Sequence, residues 1–180
     1  MRLVLALGLA LALSPAAFAQ KTETTSQTQS GKTIIEREGE SSIVTYESAD
    51  GAMNAAIEKA RGKLDYFWER FAGPASGESA FTLKVAFSVH SEDGVTREHI
   101  WVDGLRRTAA GFSARLANEP EWMENKRLGD PVTFTDDMVS DWGFERNGKL
   151  IGYYTIRVMM SDMPPDEAAA KRRMLGQNPD

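Results

Sequence analysis

Apolar residues recur at three- and four-residue steps from Asp50 to Phe71: Met53, Ile57, Ala60, Leu64, Phe67, Trp68 and Phe71. This spacing puts them on one stripe and predicts a single long α-helix. Glu58, Arg61, Asp65 and Glu69 fall on the other side, and Asp50 or Ser48 is placed to cap the start. Gly62 sits on the solvent side at a cost of about 1 kcal/mol relative to Ala. From Phe81 the period changes to two. Phe81, Leu83, Val85, Phe87 and Val89 alternate with Thr82, Lys84, Ala86 and Ser88, as in a half-buried strand.

"SEDG" from Ser91 to Gly94 reads as a turn, and further strands are expected at His99 to Val102, Gly111 to Leu116 and Val132 to Phe134. Val139 to Phe144 and Leu150 to Met160 flank Asn147-Gly148, the strongest short-range hairpin signal. The polar loop from Leu116 has room for one helical turn at Trp122 and for a flap over the sheet. In "MPPDEAAAKRRMLG" prolines and acids precede bases and Gly176, the order of a short capped helix. One long helix, five or six antiparallel strands and a terminal helix, without βαβ alternation, predict an α+β fold. That domain would run from 49 to 176, with a tail at 177–180.

The N-terminus reads differently. Arg2, an apolar run from Leu3 to Leu13, Ser14-Pro15 and "AFA" before Gln20 form the pattern of a secretory signal peptide over residues 1–19. The run is short for a bilayer span. Residues 20–48 are expected to be a tether with short strands. Gln20 to Lys32 has no apolar residue, whereas "TIIERE" and "SSIVTYES" have β-branched centres. The expected location is periplasmic or secreted, with no stable membrane anchor after cleavage.

The chain has no cysteine, which removes disulfides, thiol catalysis and thiolate metal sites. The formal net charge of −5 argues against a nucleic-acid partner, because phosphate binding needs a basic footprint. There is no Walker loop, GxGxxG, GxSxG or HExxH, and only two histidines, His90 and His99. No metal and no cofactor is expected.

The candidate chemistry lies on the strands. His99 and Glu98 point to opposite faces, so they form no local acid–base pair. With Ile100 and Val102 in the core, His99 and Trp101 lie on the outer face, either open as a platform or covered by the terminal helix. Asp141 beside Trp142 reads as a turn or cap with a buried indole, or as a general acid or base. On a last strand, Tyr153 and Arg157 would share a face with Thr155. Arg157 would pair with Asp141 or Glu98, or offer a bidentate fork to an anion. The candidate binding residues are therefore His99, Trp101, Asp141, Trp142, Tyr153 and Arg157.

Several segments together carry a resemblance. "EHIWV" from Glu98, Gly111-Phe112, "LANEP" from Leu116, "LGDPVTF" from Leu128 and "SDWGF…NGKLIGYYTIRVMM" from Ser140 occur in order. This set, spanning roughly Asp50 to Met160, resembles DUF2314, the YegJ-like bacterial domain of unknown function. One departure is Ala114, where a glycine would be expected. The resemblance implies the α+β fold and a small exported domain, and brings no reaction. The expected function is a non-enzymatic binding module of the cell envelope, of inhibitor or immunity type, whose partner is a protein or small ligand. The alternative is a small hydrolase-like enzyme using Asp141, His99 and Arg157. A third reading is a structural or stress-related envelope protein.

Overall fold

The computed structural model describes residues 50–90 and 96–179, together with three short strands before them, β1 (Glu23–Gln27), β2 (Thr33–Arg37) and β3 (Ile43–Thr45). The leader expected at residues 1–19 and the turn expected at Ser91–Gly94 lie outside the described residues. The chain divides into two units between Thr45 and Tyr46. In the first, β1, β2 and β3 form an antiparallel sheet in that order, with Ile34 opposite Ser26 and Val44. β2 and β3 occupy the two β-branched segments. β1 falls within the polar stretch expected as tether.

The second unit is α+β. Helices α1 (Gly51–Arg61) and α2 (Leu64–Ala72) precede β4 (Glu78–Ser88), β5 (Arg97–Thr108), β6 (Gly111–Leu116) and β7 (Pro131–Phe134). A 3₁₀ turn at Asp136–Met138 leads into β8 (Val139–Arg146) and β9 (Lys149–Gly152), followed by helices α3 (Tyr154–Met159) and α4 (Pro165–Met174). The six strands make one antiparallel sheet in the order β7-β6-β5-β4-β8-β9. Leu83, Val85, Ile100, Val102, Leu116, Trp142 and Phe144 form its buried core together with Ala60 and Phe67. Phe67 is fully buried, and such a ring contributes about 1.5–3 kcal/mol over leaving it in water.

The amphipathic stripe forms two helices instead of one. Asp50 caps α1 as expected, its Oδ1 accepting the Met53 N–H at 2.9 Å. Ten residues on, the indole Nε1 of Trp142 donates to the Ala60 carbonyl at 2.8 Å. In a continuous helix that carbonyl would serve the amide of residue 64. Here it takes Lys63 N at 3.1 Å in a tighter turn. A side chain inserted into the helical ladder is an established cause of kinks, and low-propensity Gly62 sits at the break.

The second departure follows β9. A strand to Met160 was expected, but β9 ends at Gly152 and α3 begins two residues later. Gly152 and Tyr153 both have positive φ, +87° and +53°, which turns the chain out of the sheet. A Cβ on Gly152 would lie 2.2 Å from the Trp142 carbonyl oxygen. Thr155, Ile156 and Val158 favour strands by propensity, yet tertiary hydrogen bonds place them in a helix. Tyr153, Thr155 and Arg157 therefore share no strand face.

Two buried carboxylates fasten loops. Glu78 binds Arg70 of α2 and Arg146 of β8 at 2.8 and 2.7 Å, and accepts the Ala75 N–H at 2.9 Å. Glu98 accepts the amides of Glu121 and Trp122 at 2.6 and 2.9 Å. Glu98 thus holds the 117–130 loop rather than pairing with Arg157. Trp122 is half-buried and Met123 packs on the core, so this segment is tied down where a mobile flap was expected.

Candidate functional site

The register of β4 with its neighbours builds the other face of the sheet. Lys84 lies opposite Trp101 on β5 and Asp141 on β8. Ala86 lies opposite His99, and Thr82 opposite Gly143. Directly paired residues project from the same face, so one patch gathers Lys84, His99, Trp101 and Thr82, with Asp141 at its side. Lys84, Trp101 and Thr82 are half-buried, and His99 is exposed.

Tyr153 joins this patch from the turn after β9. Its ring stands on Gly143, where an added Cβ would come within 2.2 Å of the ring. The ring packs on Trp101 with centroids 4.9 Å apart, and the Tyr153 hydroxyl lies 3.4 Å from Thr82 Oγ1. Tyr153, rather than the terminal helix, is therefore what packs on Trp101, the two rings tilted by 40°. Burial raises the Tyr153 pKa, with Thr82 acting the other way, so the phenol stays protonated.

Lys84 was not singled out in the sequence, where it is one polar position of an alternating strand. Its Nζ lies 5.9 Å from the Trp101 ring centroid and 3.4 Å from Thr155 Oγ1. Burial lowers its pKa, and the charge of Asp141 opposes this. Because the residue is only half-buried, hydration limits the lowering, and we treat the amine as an ammonium with N–H groups to spare.

Ser140 occupies a register shift between Lys84/Asp141 and Val85/Val139. Its Oγ bonds the Lys84 carbonyl at 3.1 Å and His99 Nδ1 at 2.9 Å. A hydroxyl has one proton, so with both bonds formed Nδ1 donates and Nε2 is the unprotonated nitrogen. Burial, then the positive charges of Lys84, Arg97 and Arg61, bring the His99 pKa down to about 4. More than a third of the residue is open to solvent, which weakens the burial cause and leaves the neighbouring cations as the firmer one.

Asp141 has a different task. It is wholly buried. Oδ1 accepts the amides of Trp142 and Tyr154 at 2.8 and 3.1 Å, and Oδ2 accepts the Thr155 amide and hydroxyl at 2.8 and 2.7 Å. Those four donors use the acceptor sites of a carboxylate. Burial raises its pKa, and the Thr155 bonds and Lys84 pull it back. The carboxylate caps α3 from a neighbouring strand.

Arg157 and Trp142 lie elsewhere. Arg157 Nε donates to the Gly152 carbonyl at 3.2 Å, and Nη2 to the Gly176 carbonyl and Asn178 Oδ1 at 2.8 and 2.9 Å. It pins the C-terminal segment instead of pairing with Asp141 or Glu98. Trp142 is fully buried. The open patch therefore unites His99, Trp101 and Tyr153, with Asp141 beneath its edge. The residues missed in the sequence, Lys84, Ser140, Thr82 and Thr155, carry no local signal beyond polar positions on strands.

Among the described residues no group of three His, Asp or Glu side chains is placed to hold a metal ion. No described helix is long and apolar enough to cross a membrane.

Three comparisons place the chain. No solved structure matches it. A Neisseria meningitidis serogroup B protein named for ankyrin repeats is 34% identical over 133 residues, covering 72% of this chain and 53% of that protein. The chain thus spans about half the length of this relative. The uncharacterized protein YegJ of Escherichia coli K12 is 27% identical over 124 residues, covering 69% of this chain and 77% of YegJ. The family described as "Uncharacterized protein conserved in bacteria (DUF2314)" matches residues 50–178, which contain every described helix and all six strands of the large sheet, and the chain belongs to this DUF2314 family.

Proposed function

We propose that the chain is a non-enzymatic binding module of the cell envelope, of inhibitor or immunity type, and that it takes its partner on the open face of the six-stranded sheet. One observation carries the reading. Lys84, His99, Trp101 and Tyr153 converge on a face that keeps solvent access, and supply a cation, an unprotonated ring nitrogen and two rings packed at a tilt. Aromatic and cationic side chains held on a rigid sheet are the usual anchors of recognition surfaces. The leader pattern at residues 1–19 supports placement in the envelope.

The hydrolase-like alternative needs Asp141, His99 and Arg157 in one cleft. Asp141 has its acceptor sites occupied, and Arg157 is committed to the C-terminal segment. Both points favour the binding reading.

The test is a pull-down from periplasmic extract with the full chain exported by a bacterial host, wild type beside Trp101→Ala and Lys84→Ala. The mass of the exported product reports cleavage after Ala19. A partner that saturates wild type and is lost from both variants, while circular dichroism shows both folded at the assay temperature, is the expected result. No saturable partner, or equal retention by Trp101→Ala, would sink the idea.

A further inference from the structure

A cavity of about 480 Å³ opens where α1, α3 and the C-terminal residues meet. That size falls in the range of small-molecule sites, about 300–1,000 Å³. Its hollow comes from the sequence: Ala52, Ala55 and Ala56 place three methyl-sized side chains on one stripe of α1, and Val158 of α3 adds to the apolar wall.

The charged part of the lining is positive, and the side-chain amides of Gln177 and Asn178 add both donors and acceptors. Lys59 and Arg157 both line the cavity, and no described carboxylate does, in a chain of net charge −5. Arg157 spends Nε and Nη2 on the C-terminal segment. Its Nη1 remains for another acceptor. Tyr154 also lines the space. Its residue is 4% exposed, and its hydroxyl is buried without a hydrogen-bond partner among the described residues. Burial moves the Tyr154 pKa up to about 12, which keeps the hydroxyl a donor.

We infer that this cavity binds a small amphipathic carboxylate, its apolar body against Ala52, Ala55, Ala56 and Val158 and its head toward Lys59 and Arg157. The site is separate from the sheet face and does not depend on that reading. Apolar area gives the affinity, and the paired cations select the sign of the head group.

The experiment follows methyl resonances of the full chain by NMR during titration with octanoate, against octylamine as a probe of equal length and opposite charge. Octanoate is expected to shift the methyls of Ala55, Ala56 and Val158 saturably, and octylamine to leave them in place. Exposed Lys59 is expected to contribute about threefold, so Lys59→Gln weakens binding by that factor. Ala55→Trp fills the cavity and abolishes the shifts, with Ala52→Trp as a second filling variant should the first not fold. The inference is overturned if octanoate shifts none of these methyls, if octylamine shifts them equally, or if a folded filling variant binds like wild type.

Discussion

Asp141 on β8 holds Thr155 on α3 through two hydrogen bonds to one oxygen, from the Thr155 amide at 2.8 Å and from its hydroxyl at 2.7 Å. A helix leaves its first amides without partners, and here a carboxylate from the adjoining strand supplies the missing acceptor. The bond joins the β8–β9 hairpin to the helix after it.

Asp141→Asn keeps the shape but points an amide donor at one set of N–H groups. A buried donor left unpaired costs about 1–3 kcal/mol, so a loss in that range is expected. Thr155→Val removes only the hydroxyl and is expected to lose about 1 kcal/mol. Urea unfolding of both variants checks this, with the midpoint falling and the slope unchanged. An Asp141→Asn protein as stable as wild type would contradict the capping role.

Gly143 is required by Tyr153. A Cβ at position 143 would lie 2.2 Å from the Tyr153 ring, so Gly143→Ala must displace that ring from Trp101. Overpacking of this kind costs about 1–3 kcal/mol. Adding Tyr153→Ala to Gly143→Ala relieves the clash, so the double variant should lose less than the sum of the single losses. Additive losses would show that the two residues do not interact.

Glu78 should set an acid-side limit on stability. Burial raises its pKa, but the Arg70 side chain, the Ala75 amide and the Arg146 side chain outweigh that and hold it below the ordinary 4.5. A carboxyl with a lowered folded pKa contributes stability that is complete above its unfolded value and is lost as pH falls through the folded one. The gap between wild type and Glu78→Gln should be full at pH 6 to 7 and should close below pH 4.5. A gap of constant size from pH 7 to pH 3 would exclude this ion-pair contribution.

His99 acts in a higher window. Its folded pKa of about 4 lies below the ordinary 6.5, so the folded protein resists protonation that the unfolded chain accepts. Its contribution is therefore complete above pH 6.5 and declines as pH falls toward 4. His99→Gln should lose less stability than wild type over that interval. Solvent at the exposed ring makes the effect smaller than for a buried histidine. Equal losses in the two proteins would remove the titration of His99 from the account.

Much of the frame was legible from local pattern. Asp50 caps α1, and β6 has the bounds its alternation predicts. Asn147 and Gly148 both take positive φ, +50° and +75°, as the hairpin dipeptide requires. Alternation also placed His99 and Trp101 together on the non-core face, because a strand's side chains repeat every second residue.

The misses share a different origin. Nothing near Gly62 announces that Trp142, eighty residues on, takes the Ala60 carbonyl and divides the helix. Nothing near Thr155 announces that Asp141 caps it and ends the strand reading. Arg157 was expected to pair with Asp141 or Glu98 or to offer a fork to an anion, because its acceptors, the carbonyls of Gly152 and Gly176 and the side chain of Asn178, are brought to it only by the fold.

By itself the sequence determined the periods of its elements, their caps and turns, the α+β class and which strand faces are apolar, because those depend on neighbours within a few residues. Only the tertiary structure decided which distant donor meets which acceptor. That choice divided the long helix, turned the last strand into α3, brought Lys84 and Tyr153 to Trp101 and set Tyr154 into the wall of an open cavity.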